Sequence, residues 1–388
     1  METRKLYYED SHLRTFEATV ITCEAVSGGY AITLDATAFY PEGGGQACDL
    51  GRLGDVAVLD VQERDGAVVH LCDGPLPLSQ TVTGILDWSR RFDLMQQHTG
   101  EHMVSGVICA KYGYHNVGFH VGVDYITIDF DGPIPPEDLP VIEQAVNEAV
   151  WQNLPVRCWV PRPEELPAVP YRTKRALPWP VRIVQVPGVD SCACCGVHVK
   201  HTGEIGLVKL FSCVKFHQGV RIEMACGRRA FELLNTAFDQ NRQVSQAFSA
   251  KIMETGDAAR RMNARLAESE FRATGLEKRL FDAVAAGYAG VGRVVHFEDG
   301  LSPAAVRELA DRIAQHCGGT AAVFSPMDGG HALCLVDKTG DVKALGDSLT
   351  QTLGGRGGGK KGFFQGSVKA TEPQIRQFFE HWTDNNDW

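Results

Sequence analysis

The chain has little that would carry it into or across a membrane. No uninterrupted apolar run approaches bilayer-spanning length. The opening stretch Met1 to Asp10 has no apolar core of the kind an export signal needs. Positive charge is also short: 48 acidic residues against 38 basic ones leave a net charge of -10. That excludes indiscriminate coating of nucleic acid and leaves such a role to local cationic patches. Two motifs are missing as well. His-Glu-x-x-His would supply a metallopeptidase base, but the only acid between His98 and His102 is Glu101, directly before the second imidazole. The glycine run Gly354 to Gly359 lacks the Lys-Ser/Thr and the strand context of a nucleotide-phosphate loop. Cysteine, by contrast, is plentiful. Without an export signal the 12 thiols read as reduced, some of them on metal, and the chain reads as cytoplasmic.

The stretch Gln97-His98-Thr99-Gly100-Glu101-His102 organises the reading. Its two imidazoles are four residues apart in a helical segment, so both leave one helix face a turn apart. Downstream, in Ser191-Cys192-Ala193-Cys194-Cys195-Gly196-Val197-His198, the pair Cys194 and His198 repeats that spacing. Three imidazoles and a thiolate suit zinc, which takes nitrogen and sulfur donors in a tetrahedron. Either pair alone is weak; together they predict a zinc site at His98, His102, Cys194 and His198, with a fold that closes the gap of about ninety residues between them.

The rest of the chain reads as α+β. Residues from about 14 to 87 alternate as short strands with turns at Gly28-Gly29, Gly43 to Gly45, Asp65-Gly66 and Asp73-Gly74, which predicts a small β-barrel over 1–87. Within it, Gly44 and Gly45 let backbone approach a ligand and expose amides that can serve as oxyanion donors. A mixed α/β zinc-binding domain is expected over 88–226, with a helix capped at Asp87 or Ser89 and stopped at Gly113. Residues 227–286 contain no proline and read as two helical arms broken near Gly256, which pack on each other or on a second copy in a homodimer. A C-terminal α/β domain fills 287–388, with Ser302-Pro303 opening one helix and Thr371/Gln374 capping the last. The basic stretch Arg172-Thr173-Lys174-Arg175, with Arg182 nearby, reads as a local cationic patch or as solvated surface, the commoner fate of a short charge run. Arg356, Lys360 and Lys361, on the glycine loop, are the candidates for phosphate or RNA contact.

The His-x-x-x-His helix, the later Cys-x-x-x-His and the upstream Thr37-Ala38-Phe39-Tyr40-Pro41-Glu42-Gly43-Gly44-Gly45-Gln46 together resemble the editing domain of alanyl-tRNA synthetase and the free-standing alanyl-tRNA editing proteins. The last hundred residues, with Gly-Gly-Arg-Gly-Gly-Gly-Lys, resemble the DHH-associated domain. The resemblance covers nearly the whole chain, in the order of the long form of the editing proteins, and leaves no room for an aminoacylation domain. It implies a trans-editing hydrolase that cleaves the ester of alanine tRNA mischarged with serine, with glycine as the second candidate, at zinc on His98, His102, Cys194 and His198. It also puts Thr37 and Gln46 in the substrate pocket. Reading one serine hydroxyl needs a hydrogen-bonding group, a task that falls to Thr37. The sequence departs from the family at Cys195 and Val197, where Cys-Gly-Gly-Thr-His is usual, and Cys192 and Cys195 are rival thiols to Cys194. The competing readings are a non-catalytic tRNA-binding protein with a structural zinc and a zinc hydrolase of small esters.

Overall fold

The computed structural model describes residues 2–173 and 177–385. Lys174 and Arg175 of the basic stretch lie outside the described residues. The chain forms two compact units, one ending at Val244 and one beginning at Ser245. Among the described residues no helix is long and apolar enough to cross a membrane.

In the first unit six antiparallel strands close into a ring in the order Thr15–Val26, Gly29–Leu34, Ala67–Cys72, Val56–Arg64, Gly51–Leu53 and Thr81–Leu86. Period-two alternation turns one side of each strand inward; Thr81–Leu86, for example, alternates exposed and buried along its length. Ile32, Leu34, Leu53, Val61, Val68 and Cys72 fill the interior. The Asp-Gly signal at 65–66 is a tight hairpin turn, with both residues at positive φ (50° and 80°).

The helix Trp88–Tyr112 leaves this barrel. Asp87 caps it by accepting a hydrogen bond from the Arg90 amide, and Gly113, left-handed at φ 73°, ends it. Every residue from Asp93 to Gly106 is buried, including seven polar or ionisable side chains between Gln96 and Ser105. Burial of this kind requires partners. Gln97 donates to Cys226 O and accepts from Cys226 N, while Gln96 donates to Glu204 O. Around the helix lie a four-stranded antiparallel sheet in the order Val208–Phe216, Gly219–Cys226, Ile126–Phe130, Asn116–Val121, and a three-stranded sheet of Arg157–Trp159, Ile183–Val186 and Asp190–Ala193. Helix Leu139–Trp151 packs beside it, its Ile142 and Val146 sharing a core with Met103, Ile128 and Ile222.

Arg91 ties the helix to the barrel. Fully buried, its guanidinium donates to both oxygens of Asp49, to Ala38 O and, at 3.0 Å, to Ser11 O, while Asp49 accepts from the Tyr40 amide at 2.6 Å.

The helical stretch runs as Gly227–Ala247 and Thr255–Ala286. The break therefore precedes Gly256, which sits in the first turn of the second helix. In the second unit a five-stranded sheet has the order Arg293–Phe297, Thr320–Met327, Gly330–Asp337, Phe363–Val368, Arg356–Lys360. The Ser302 cap is present, accepting from the Ala305 amide, and Gln374 accepts from the Thr371 amide. One expectation is corrected: Arg356–Lys360 is no loop but an exposed edge strand paired with Phe363–Val368. Glycine is needed there because a Cβ on Gly357 would lie 2.6 Å from the Phe364 ring, and one on Gly359 2.1 Å from Phe363 O.

Candidate metal centre and its cavity

The fold brings the two ligand pairs together. Ligand atoms of His98, His102, Cys194 and His198 all lie within 4.8 Å of one another, and Cys194 Sγ is 3.4 Å from His98 Nε2. Each imidazole is held through its other nitrogen. His98 Nδ1 donates to Gln46 Oε1 (2.7 Å), His102 Nδ1 to Asp190 Oδ2 (3.1 Å) and His198 Nδ1 to Thr99 Oγ1 (3.1 Å). The Thr99 proton is committed to Met95 O at 2.8 Å, so its oxygen must accept from His198. Asp190 is gripped by Arg172 at 2.7 and 2.9 Å. All three rings therefore use Nδ1 as the outward donor and turn Nε2 inward, the orientation a metal requires. His198 Nε2 is buried with no partner among the described residues, as expected of a ligand atom. The four side chains fit a zinc ion.

Charge supports the same assignment. Burial opposes ionisation of Cys194, but the imidazoles of His98 and His102 outweigh it and hold the thiol well below its ordinary value. The Gly196 amide also donates to its sulfur at 3.3 Å. Burial instead raises the pKa of both rival thiols, Cys192 and Cys195. His102 is raised well above its ordinary value: burial works against the charged ring, and Cys194 and Asp190 overcome it. His198 is lowered to about 3, chiefly by burial.

The Cys194 loop is clamped from several sides. Arg182 Nη1 donates to Cys194 O (3.0 Å) and Gly196 O (2.8 Å), and Tyr8 donates to Cys195 O at 2.8 Å. Gly196 lies under the His98 ring, where a Cβ would come within 2.2 Å of Cε1. Val197, one departure from the family pattern, is fully buried in the apolar core, which suits valine.

A cavity of about 680 Å³ opens beside the cluster, walled by His98, His102, Glu101, Asn116, Phe119, Arg172, Arg182, Gly44 and the proline-rich segment at Pro178 and Pro180. Of the four residues expected at the substrate, only Gly44 is in this wall. Gly44 and Gly45 form the centre of a tight turn at φ 59° and 83°, closed by Gly43 and Gln46, and a Gly45 Cβ would lie 2.5 Å from Phe119. Gln46 stands behind His98, its Nε2 buried and unpartnered among the described residues. Thr37 lies in the short strand Ala36–Thr37, which pairs in parallel with Arg4–Lys5, and meets the barrel strand Ala67–Cys72 through its side chain. Its hydroxyl donates to His70 Nε2 (2.9 Å), because His70 Nδ1 is donating to Ile32 O, and accepts from the Phe39 amide (3.1 Å). In the second unit Lys360 and Lys361 line a cleft of about 1100 Å³ with Arg307, Arg312 and Lys338, and Arg356 is exposed.

Asp190, Thr99 and Asn116 were not foreseen, and Arg172 and Arg182 were expected on the surface. The one available signal was the acid at Asp190, at the head of the strand that runs into Cys194.

Comparison with known proteins fits this geometry. Residues 181–223 match the family described as the threonyl and alanyl tRNA synthetase second additional domain, and residues 288–385 match the DHHA1 domain. The alanyl-tRNA editing protein Aarsd1 of Mus musculus is 27% identical over 96% of this chain and 95% of its own length. The chain is homologous to the alanyl-tRNA editing proteins. The alanine–tRNA ligase of Thermofilum pendens is 32% identical over 95% of this chain, which spans only 43% of that enzyme. The editing protein AlaX-L of Pyrococcus horikoshii is 32% identical over 60% of each chain.

Proposed function

We propose that the chain is a trans-editing deacylase that hydrolyses the ester joining serine, and to a lesser degree glycine, to alanine tRNA. The observation that carries this reading is the convergence of three correctly oriented imidazoles and the Cys194 thiol on one point in the wall of a cavity, in a chain homologous to editing proteins over nearly its whole length. His98, His102, Cys194 and His198 would hold zinc, which supplies a fixed positive charge that can polarise a carbonyl or a water. The chain's own residues do the rest. Gly44, with Gly45 behind it, offers backbone amides to the developing oxyanion. Gln46 keeps His98 aimed and retains an unpartnered amide donor beside it. Phe119 and the proline segment restrict water. Thr37, tied to His70, fixes the start of the segment that carries these groups and thereby supports selection of serine over alanine. Arg356, Lys360 and Lys361 provide tRNA contacts. A homodimer through the helical arms is supported by the exposure of Phe231, Phe238, Leu266 and Phe271.

A second reading has one observation in its favour: four protein ligands saturate zinc, the pattern of structural sites. One assay separates the two. Alanine tRNA carrying labelled serine, glycine or alanine is incubated with the zinc-loaded protein and release is followed. Release of serine well above that of alanine is expected; binding without release of any amino acid would leave the structural zinc.

A further inference from the structure

Glu101 is used by neither the metal cluster nor the ester chemistry, yet it is only 5% exposed and lines the same cavity. Its Oε1 accepts from Ser105 Oγ at 2.6 Å and from Asn116 Nδ2 at 2.5 Å. Asn116, 6% exposed and also in the cavity wall, points the same Nδ2 toward Ser105 Oγ at 3.2 Å. This fixes the amide, because turning it over would set Oδ1 against a carboxylate oxygen. Asn116 Oδ1 is consequently buried without a partner among the described residues. Glu101 Oε2 likewise has no hydrogen-bond partner among the described residues. Among the described residues the cavity's lysine and arginine side chains are occupied elsewhere: Arg172 on Asp190, Lys5 on Glu63, and Arg182 on the carbonyls of Cys194 and Gly196.

A buried carboxylate with no cation bound to it and a buried amide oxygen without a donor are both unfavourable. One kind of ligand satisfies both: a cation with several N–H donors. We propose that Glu101 and Asn116 form the receptor for the α-ammonium group of the aminoacyl ester. The inference rests on the deacylase reading and extends it. Every free amino acid on a tRNA carries this group, so the receptor does not choose between side chains. It fixes the nitrogen, and with it the directions of the ester carbonyl and the side chain. It also refuses esters whose nitrogen is acylated, so a tRNA carrying a peptide or a formylated residue is spared.

The test uses the full zinc-loaded chain and a non-hydrolysable probe, 3′-deoxy-3′-serylamido-adenosine, against its N-acetyl form, with affinity measured by calorimetry. The wild type should bind the free amine about tenfold or more tighter, the order expected for charge-assisted bonds. Glu101→Gln keeps an oxygen for Ser105 and Asn116 and replaces the other with a donor. It should abolish the preference and leave binding of the N-acetyl probe unchanged, with zinc content and melting temperature retained. Equal binding of the two probes by the wild type overturns the proposal whether or not the variant folds; so does an equal loss for both probes in a folded variant. Seryl-tRNA release by the wild type is measured alongside. Preference for the free amine without release from any mischarged tRNA leaves the ammonium receptor standing and removes the deacylase reading. Release without the preference does the reverse.

Discussion

Asp190 accepts from His102 on one side and from Arg172 on the other, so the ring's orientation depends on a side chain outside the four-residue cluster. Asp190→Asn should weaken zinc binding by about 10–100-fold, measured by competition with a chelator, while leaving all four ligands in place. The protonation states give a second expectation. Without a metal His102 is raised above its ordinary value and Cys194 is lowered below its own, so of the two His102 is the group that holds a proton zinc would have to displace; His198, lowered to about 3, holds none at neutral pH. Zinc must therefore displace about one proton, from His102, and its apparent affinity should rise with pH until His102's raised value is passed and then level off. Calorimetry in buffers of different ionisation enthalpy counts that proton. Thr37 carries the third. Thr37→Val leaves the buried His70 Nε2 without its donor, which should cost about 1–3 kcal/mol in denaturant unfolding. By loosening the segment toward Gln46 it should also narrow the serine-over-alanine ratio, and Thr37→Ser should restore both. The sequence displayed the four residues that the fold brings together because their spacing is itself the signal. It did not display Asp190 or Thr99, since a residue that aims a ligand has no required distance from it along the chain.

The helix Trp88–Tyr112 was legible from its Asp87 cap, its Gly113 stop and the two histidines, but not its burial on all sides. Its polar composition suggests an exposed face; the partners that permit burial, such as the Cys226 backbone, arrive from far downstream. Gly106 shows what the close packing achieves. A Cβ there would fall 2.4 Å from Val189 O and 2.7 Å from the Asp190 Cβ, so the bare backbone is what lets Asp190 approach His102. Helix propensity alone favours alanine over glycine by about 1 kcal/mol. Gly106→Ala should nevertheless destabilise the protein by about 1–3 kcal/mol and lower its zinc affinity, because the new methyl displaces the segment that holds Asp190. Thermal unfolding with and without chelator separates the two effects. The edge strand Arg356–Lys360 is the opposite case. A run of glycines carries no alternation, so its strand character, imposed by Phe364 beneath it, could not be read in advance.

For the molecule as a whole, an acidic chain that acts on tRNA as proposed must rely on few cations. Replacing Arg356, Lys360 and Lys361 together with alanine should weaken tRNA binding and flatten its salt dependence. The slope of log affinity against log salt should fall by roughly 0.7–0.9 for each phosphate that is no longer neutralised. The single-turnover release rate at saturating protein should be unchanged. A lower rate at saturation would instead assign these residues to support of the catalytic unit. The arms bear on how such a test is designed. Phe281 and Ala285 of the helix Thr255–Ala286 share a core with Leu309 and Ile313, so a cut after Ala286 would strip that helix of its support, and side-chain replacement is the cleaner tool.

The three imidazoles are aimed from different places: Gln46 belongs to the turn beyond the barrel strands, Thr99 to the helix itself and Asp190 to a strand of the small sheet. During synthesis a nascent chain presents His98 and His102 long before Cys194 and His198 emerge. Until then it can offer an ion only half a coordination shell. Capture must wait until about a hundred further residues have been translated and the loop they form has closed. A zinc ion held there, as proposed, would act as a late latch, and a cell starved of it would accumulate chains whose barrel and helix are formed but whose cysteine segment hangs open to proteases.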